Sequence, residues 1–208
     1  MYFYGPQKIL EYRMDPELEL EVFEGILHNM GALIDEECAE NTPTRWLKMI
    51  QHYCQPYDCA ADLAKAFEDP EELGDTYRHG MVVQTNIPYR ALCAHHLAPV
   101  LGVAHVGYIP QKKVVGLSKL ARVVYGVSHA SPSLQEHVGA VTVKALMTHL
   151  KPLGAMAIID AEHGCMACRG VEEHHVQTVT SHVAGVFQDQ HETRTEFYDI
   201  VKMNARSK

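Results

Sequence analysis

The sequence predicts an α+β fold in which a helical N-terminal third precedes a mixed unit of strands and helices. Three observations predict it. Apolar residues recur at helical three- and four-residue intervals near the start of the chain. Runs rich in β-branched and aromatic residues replace them after Gly80. From there the elements follow in the order strand, strand, helix, helix, strand, strand. The 208 residues suffice for one domain with a full core and some accessory helix.

The first helix opens at Asp15-Pro16, a capping residue followed by a proline suited to the first turn. Val22, Ile26, Met30 and Leu33 give it one apolar face through about Ile34. Asn41-Thr42-Pro43 is a second start signal, leading into Arg45-Trp46-Leu47-Lys48-Met49-Ile50. Asp58 caps a third, short helix that ends near the acidic run from Glu68 to Glu72. Residues 1–80 thus form a helical extension and 81–208 the main domain.

In that domain Met81 to Tyr89 and Ala98 to Ile109 read as strands. Gly116 introduces a helical pattern from Leu117 to Tyr125. Ser131-Pro132 starts a longer helix whose buried stripe is Leu134, Val138, Val141, Ala145 and Leu146. Ala155 to Asp160 and Val176 to Phe187 return to strand character, and Glu192 to Met203 forms a closing helix.

Composition excludes several function classes. Hydrophobic residues at 47% and charged residues at 21% fit an ordinary soluble protein. No apolar run approaches the roughly 18 residues needed to span a bilayer. Met1 to Pro6 lacks the basic flank and apolar stretch of a secretion signal, so a cytoplasmic protein is expected. A net charge of -8 argues against a nucleic-acid backbone as partner, while leaving room for a small anion where a few cations converge. A reducing compartment disfavours disulfides among the six cysteines, and Cys38, Cys54 and Cys59 read as small buried apolar residues.

Chemistry concentrates in two segments, Cys93-Ala94-His95-His96 and His163-Gly164-Cys165. Two sulfurs and an imidazole from them can hold one zinc ion and leave its fourth position open, the arrangement of a catalytic site. Thiolates favour zinc over magnesium or calcium. His95 and His96 are adjacent and point to opposite sides of an extended segment, which suits one to the metal and the other to a substrate. The bland alternative is ordinary polar histidines in a chain that holds 14 of them. Cys165-Met166-Ala167-Cys168 also has the spacing of a zinc knuckle or redox motif, and Cys168 as a fourth ligand stays open.

Gly116-Leu117-Ser118-Lys119 stands at a helix start, where free N–H groups and the helix dipole favour an anion. Lys119 and Arg122 share one face of that helix, and Arg169 and Arg45 are further cations for the same pocket. Each alone reads as a solvated charge; together with the cysteine segments they suggest a polyphosphate ligand. Glu136 alone reads as a solvent-facing carboxylate.

These segments resemble the GTP cyclohydrolase I family from about Glu40 to Arg206. The resemblance is carried by Thr42-Pro43-Thr44-Arg45, by Cys93-Ala94-His95-His96, and by Tyr108-Ile109-Pro110 with Gly116 to Arg122. Gln135-Glu136, His163-Gly164-Cys165 with Arg169-Gly170, and Thr193 to Phe197 complete it. It implies the tunnelling fold: a four-stranded antiparallel sheet with two helices on one face, after an N-terminal helical extension. It also implies a homo-oligomer, usually a decamer, with active sites between subunits.

Carried over residue by residue, the family's zinc ligands fall on Cys93, His96 and Cys165, and its proton-transfer histidines on His95 and His163. Ser118, Lys119, Arg122, Arg169 and Arg45 match ribose and triphosphate contacts, with Ser118 also assisting proton transfer. Gln135-Glu136 matches the segment that reads guanine. The activity implied is zinc-dependent hydrolysis of GTP at guanine C8, with loss of formate and rearrangement to 7,8-dihydroneopterin triphosphate. Two positions depart from the pattern. Ala94 replaces the usual glutamate, and Ala167-Cys168 alters a stretch where a basic residue is common. Loss of a group that orients metal ligands weakens affinity or activity by about ten- to a hundredfold. Two rivals therefore stand beside this reading. One is a catalytically reduced GTP-binding regulator, the other a different pterin or deazapurine enzyme of the same fold.

Overall fold

The computed structural model describes residues 16–29, 36–68, 80–173 and 175–205. The chain forms two compact units, divided between His52 and Tyr53.

The first unit holds helices α1 (Pro16–Asn29) and α2 (Glu36–His52). Phe23 of α1 stacks on Trp46 of α2 at 4.2 Å with the rings nearly parallel. The cap at Asp15 and the end of the first helix, at Met30 to Ile34, lie outside the described residues. The start expected at Asn41-Thr42-Pro43 is corrected: α2 is already under way at Glu36, and Pro43 sits inside it. Proline forfeits one backbone hydrogen bond there. Pro43 is nonetheless buried.

The second unit opens with α3 (Cys59–Leu63), capped as expected by Asp58, whose Oδ1 accepts from the Ala60 N–H at 2.8 Å. This helix is shorter than the sequence suggested. Ala66–Glu68 forms strand β1, and Glu72 lies outside the described residues. The reason is a partner far along the chain. Strand β4 (Lys113–Val115) pairs antiparallel with β1, with Lys113 opposite Glu68 and their charges 3.7 Å apart.

The main sheet contains β2 (Val82–Leu92), β3 (Pro99–Ile109), β5 (Gly154–His163) and β6 (Gln177–Gly185). All neighbours are antiparallel in the order β2-β3-β5-β6. Helices α4 (Ser118–His129) and α5 (Gln135–Leu150) connect β4 to β5. Period-two alternation sorts the sheet's side chains. Ala155, Ala157, Ile159 and Ala161 join the core made with Leu120, Val123, Val124, Val138 and Leu146 of α4 and α5. Met156 and Ile158 point the other way, against Phe187 and Phe197. Those phenylalanines come from α7 (Val186–Asp189) and α8 (His191–Ala205). Fully burying each ring contributes about 1.5–3 kcal/mol. Gly107 allows this, since a Cβ there would stand 2.7 Å from the Phe197 ring.

Two further differences have local causes. The last strand stops at Gly185, whose φ of 61° turns the chain, so Val186 and Phe187 become helical. Leu134 precedes α5 in extended conformation and so does not share the helical stripe. Among the described residues no helix is long and apolar enough to cross a membrane.

Candidate functional site

The loop between β2 and β3 and the end of β5 meet because of strand register. Leu92 pairs with Pro99, and Val100 pairs with His163. Residues 93–98 form a tight loop closed by two backbone bonds, Cys93 N–H to Ala98 O at 2.9 Å and Leu97 N–H to Cys93 O at 2.8 Å. A positive φ at Leu97 completes the turn. The Ala94 N–H to Ser133 O bond at 3.2 Å ties the loop to the segment before α5. This pins Cys93 in the interior while His95 and His96 remain exposed.

Residues 163–165 are not one continuous strand, the arrangement that would have put His163 and Cys165 on one face. The strand ends at His163, and Gly164–Ala167 makes a helical turn, α6. The turn still brings Cys165 back: its Sγ lies 4.0 Å from Cys93 Sγ. A ring nitrogen of His163 joins the two sulfurs, all three atoms lying within 4.8 Å of one another. Cys168 faces elsewhere, its exposed thiol donating to Gly164 O at 2.7 Å.

The donor set fits zinc. Two thiolates on one tetrahedral zinc, each about 2.3 Å from it, stand about 3.8 Å apart. Cys93 and Cys165 match that spacing, and no disulfide joins any of the described cysteines. Burial and the neighbouring Cys93 push the Cys165 thiol up. A cation between the sulfurs reverses that penalty by favouring both thiolates.

Gln135 orients His163. Its buried amide nitrogen donates to Ile159 O at 2.9 Å, Thr178 O at 2.8 Å and Thr180 Oγ1 at 3.2 Å. Two of these acceptors are carbonyls, so the amide cannot be flipped without facing oxygen to oxygen. Its Oε1 therefore accepts from His163 Nε2–H at 2.8 Å, and in the neutral imidazole the lone pair sits on Nδ1. Burial lowers the His163 pKa, against an opposing pull from Glu136.

The remaining expected residues are distributed as follows. His95 Nδ1 lies 3.8 Å from Cys93 Sγ. Arg169 donates to His96 Nε2 at 2.6 Å, so that nitrogen carries the lone pair. Among the described residues His96 thus stands apart from the cluster of Cys93, His163 and Cys165, in which the resemblance expects it. Glu136 is exposed in the first turn of α5, and its charge reaches Tyr89, His163 and His182. Ser118 is the exposed first residue of α4. Lys119 Nζ meets Asp62 Oδ1 at 2.7 Å, and Arg122 Nη1 approaches the same oxygen at 3.6 Å. Arg45 lies in α2 of the first unit.

Asp62 is a residue that sequence reasoning missed, standing 57 positions from Lys119 with no motif around it. The buried role of Gln135 was equally hidden. The three other cysteines are less buried than expected: Cys38 and Cys59 are half-buried, and Cys54 is exposed in the loop after α2.

A family model described as GTP cyclohydrolase I matches residues 20–202. The protein "GTP cyclohydrolase 1" of Listeria monocytogenes serotype 4a is 38% identical over 197 residues, covering 92% of this chain and 99% of that protein. The "GTP cyclohydrolase 1" of Dictyostelium discoideum is 37% identical over 179 residues, or 86% of this chain and 75% of its own length. That of Pelotomaculum thermopropionicum is 38% identical over 185 residues, covering 86% and 93%. A crystal structure of the archaeosine synthase QueF-Like in the apo form aligns with 52% of this chain and 97% of its own. That likeness has a TM-score of 0.41 and 11% identity. The chain belongs to the GTP cyclohydrolase I family.

Proposed function

We propose that this protein is an enzyme that hydrolyses GTP at guanine C8, releases formate and rearranges the remainder to 7,8-dihydroneopterin triphosphate. One observation carries the reading: in a chain of this family, two thiols 72 residues apart converge to 4.0 Å beside a histidine of fixed orientation. By family resemblance Cys93, Cys165 and His96 are assigned to hold zinc; Cys93 and Cys165 converge as that set requires, while the imidazole beside them is that of His163. When bound, zinc supplies the Lewis acidity that makes hydration of a carbon centre feasible near neutral pH.

The protein's own groups do the rest. Gln135 keeps the His163 Nε2–H occupied, so His163 accepts and returns protons at Nδ1. His95 is a second proton carrier at the exposed rim. Glu136 accepts hydrogen bonds from guanine N1–H and the 2-amino group together. Adenine has no 2-amino group and a lone pair at N1, so it would leave this carboxylate unpaired. Lys119, Arg122 and Arg169 hold the triphosphate, Arg45 is assigned to it by family resemblance alone, and Ser118 assists the proton transfers of ribose opening and reclosure.

We further assign residues 81–208 to a tunnelling-fold catalytic domain after an extension over 1–80, the last part of which, α3 and β1, belongs to the same compact unit as that domain. The antiparallel order β2-β3-β5-β6 and the packing of α4 and α5 on one face support this. The assembly is a cytoplasmic homo-oligomer, a decamer by family resemblance, whose copies complete one another's sites. The test is direct. The purified protein is expected to hold zinc stoichiometrically and to release formate and a fluorescent pterin from GTP. Binding of GTP without formate favours the regulator to which Ala94 points.

A further inference from the structure

Four side chains from two helices and a loop converge beside the start of α4. Asp62 of α3 uses Oδ1 for Lys119 Nζ at 2.7 Å and for Arg122 Nη1 at 3.6 Å. Its Oδ2 accepts from the Tyr57 hydroxyl at 3.1 Å. Tyr57 is fixed in turn by lying flat on Gly126, where a Cβ would come within 2.3 Å of the ring. The Lys119 and Asp62 side chains are only 11% and 19% exposed, so water screens them less than an ordinary surface pair. Lys119, and less strongly Tyr57, hold the Asp62 carboxyl below the usual carboxylate range.

The carboxylate changes what the grip offers a ligand. Lys119 and Arg122 alone present two positive charges; with Asp62 between them the group nets one. A phosphate oxygen that reaches Lys119 Nζ at hydrogen-bond distance meets the Asp62 carboxylate as a like charge a few ångströms away. We propose that Asp62 is a built-in competing anion: it occupies Lys119 and Arg122 in the unliganded protein, and a polyphosphate must displace or outbid it to bind. This rests on the reading of Lys119 and Arg122 as triphosphate contacts. Its consequence is a deliberately weakened grip on substrate and product alike, both of which carry the triphosphate.

The experiment compares wild type, Asp62→Asn and Asp62→Glu. Asparagine is isosteric and still accepts from Tyr57, whereas glutamate keeps the charge. Calorimetric titration with inorganic triphosphate, which has no base to recognise, reads the grip alone; GTP kinetics read KM and kcat separately. Asp62→Asn is expected to bind inorganic triphosphate on the order of tenfold more tightly, the factor equivalent to about 1.4 kcal/mol. KM for GTP falls in parallel without a rise in kcat, and Asp62→Glu restores wild-type values. Unchanged or weaker triphosphate binding in Asp62→Asn overturns the proposal, as does equal tightening in Asp62→Glu. A gain in triphosphate binding with no formate from GTP in any form supports the grip while refuting the reaction.

Discussion

Replacing Gln135 by leucine removes one amide that satisfies partners on two strands and on His163. The side chain is 2% exposed, so water does not take its place. The change leaves the His163 Nε2–H without its acceptor and deprives Ile159 O and Thr178 O of a donor. A buried polar group left unsatisfied costs about 1–3 kcal/mol. The two carbonyls retain a second lone pair for other donors, so they fall at the low end, and the leucine recovers some apolar burial. The net expectation is a loss of roughly 2–4 kcal/mol. For a chain of this size each kcal/mol moves Tm by about 2–4 °C. Melting at fixed protein concentration and urea unfolding measure the effect. Gln135→Glu sharpens the test, because at neutral pH its carboxylate faces two carbonyls with no proton to donate. It should be at least as damaging as leucine at pH 7.5 and partly recover in acid, once protonated. A loss below about 0.5 kcal/mol for leucine, or a glutamate variant as stable as wild type at pH 7.5, refutes the clamp.

Other expectations follow from the same geometry. Cys93→Ala, Cys165→Ala and His96→Ala should each lose stoichiometric zinc by elemental analysis. Cys168→Ala should keep it, because that thiol is spent on Gly164 O; zinc loss confined to Cys168→Ala would reverse the assignment. Glu136→Gln should lower GTP turnover at least tenfold with little change in melting, since an exposed carboxylate holds little of the fold; unchanged kinetics return Glu136 to a surface role. Burial lowers the folded-state pKa of His105 and His182, with Asp160 and Glu136 respectively opposing the shift. The unfolded chain then binds more protons, so their contribution is complete above about pH 6.5 and is lost as pH falls through the folded values. Urea unfolding at pH 7.5 and 5.5 should show the lower stability at 5.5, and a flat profile contradicts the burial argument.

What the sequence made legible was local. Asp58 announced the cap it forms, and the apolar run from Ala155 to Asp160 announced a strand. Cys93 and Cys165 were paired through motifs, not through any periodicity. What stayed hidden depended on distant partners. Ala66–Glu68 is a strand because Lys113–Val115 lies beside it, and no window around residue 66 contains that information. Pro43 looked like a start because a proline's local preference is strong, yet the surrounding helix absorbs it. Gln135 looked like a substrate contact beside Glu136, and only the packing of α5 on β5 and β6 reveals where its amide goes. Asp62 carried no motif at all.

The meeting of Cys93 with Cys165 also bears on how the chain holds together. An ion bridging them would be a cross-link between points 72 residues apart, with β3, β4, α4, α5 and β5 enclosed in the loop. Closing a loop of that length removes chain entropy from the unfolded ensemble worth roughly 4 kcal/mol by the relation used for disulfides. That is a large fraction of the net stability of an ordinary domain. Metal occupancy would then be a property of the fold's stability as well as of its chemistry, so a chelator would lower the melting temperature of the unit while it removed the reagent.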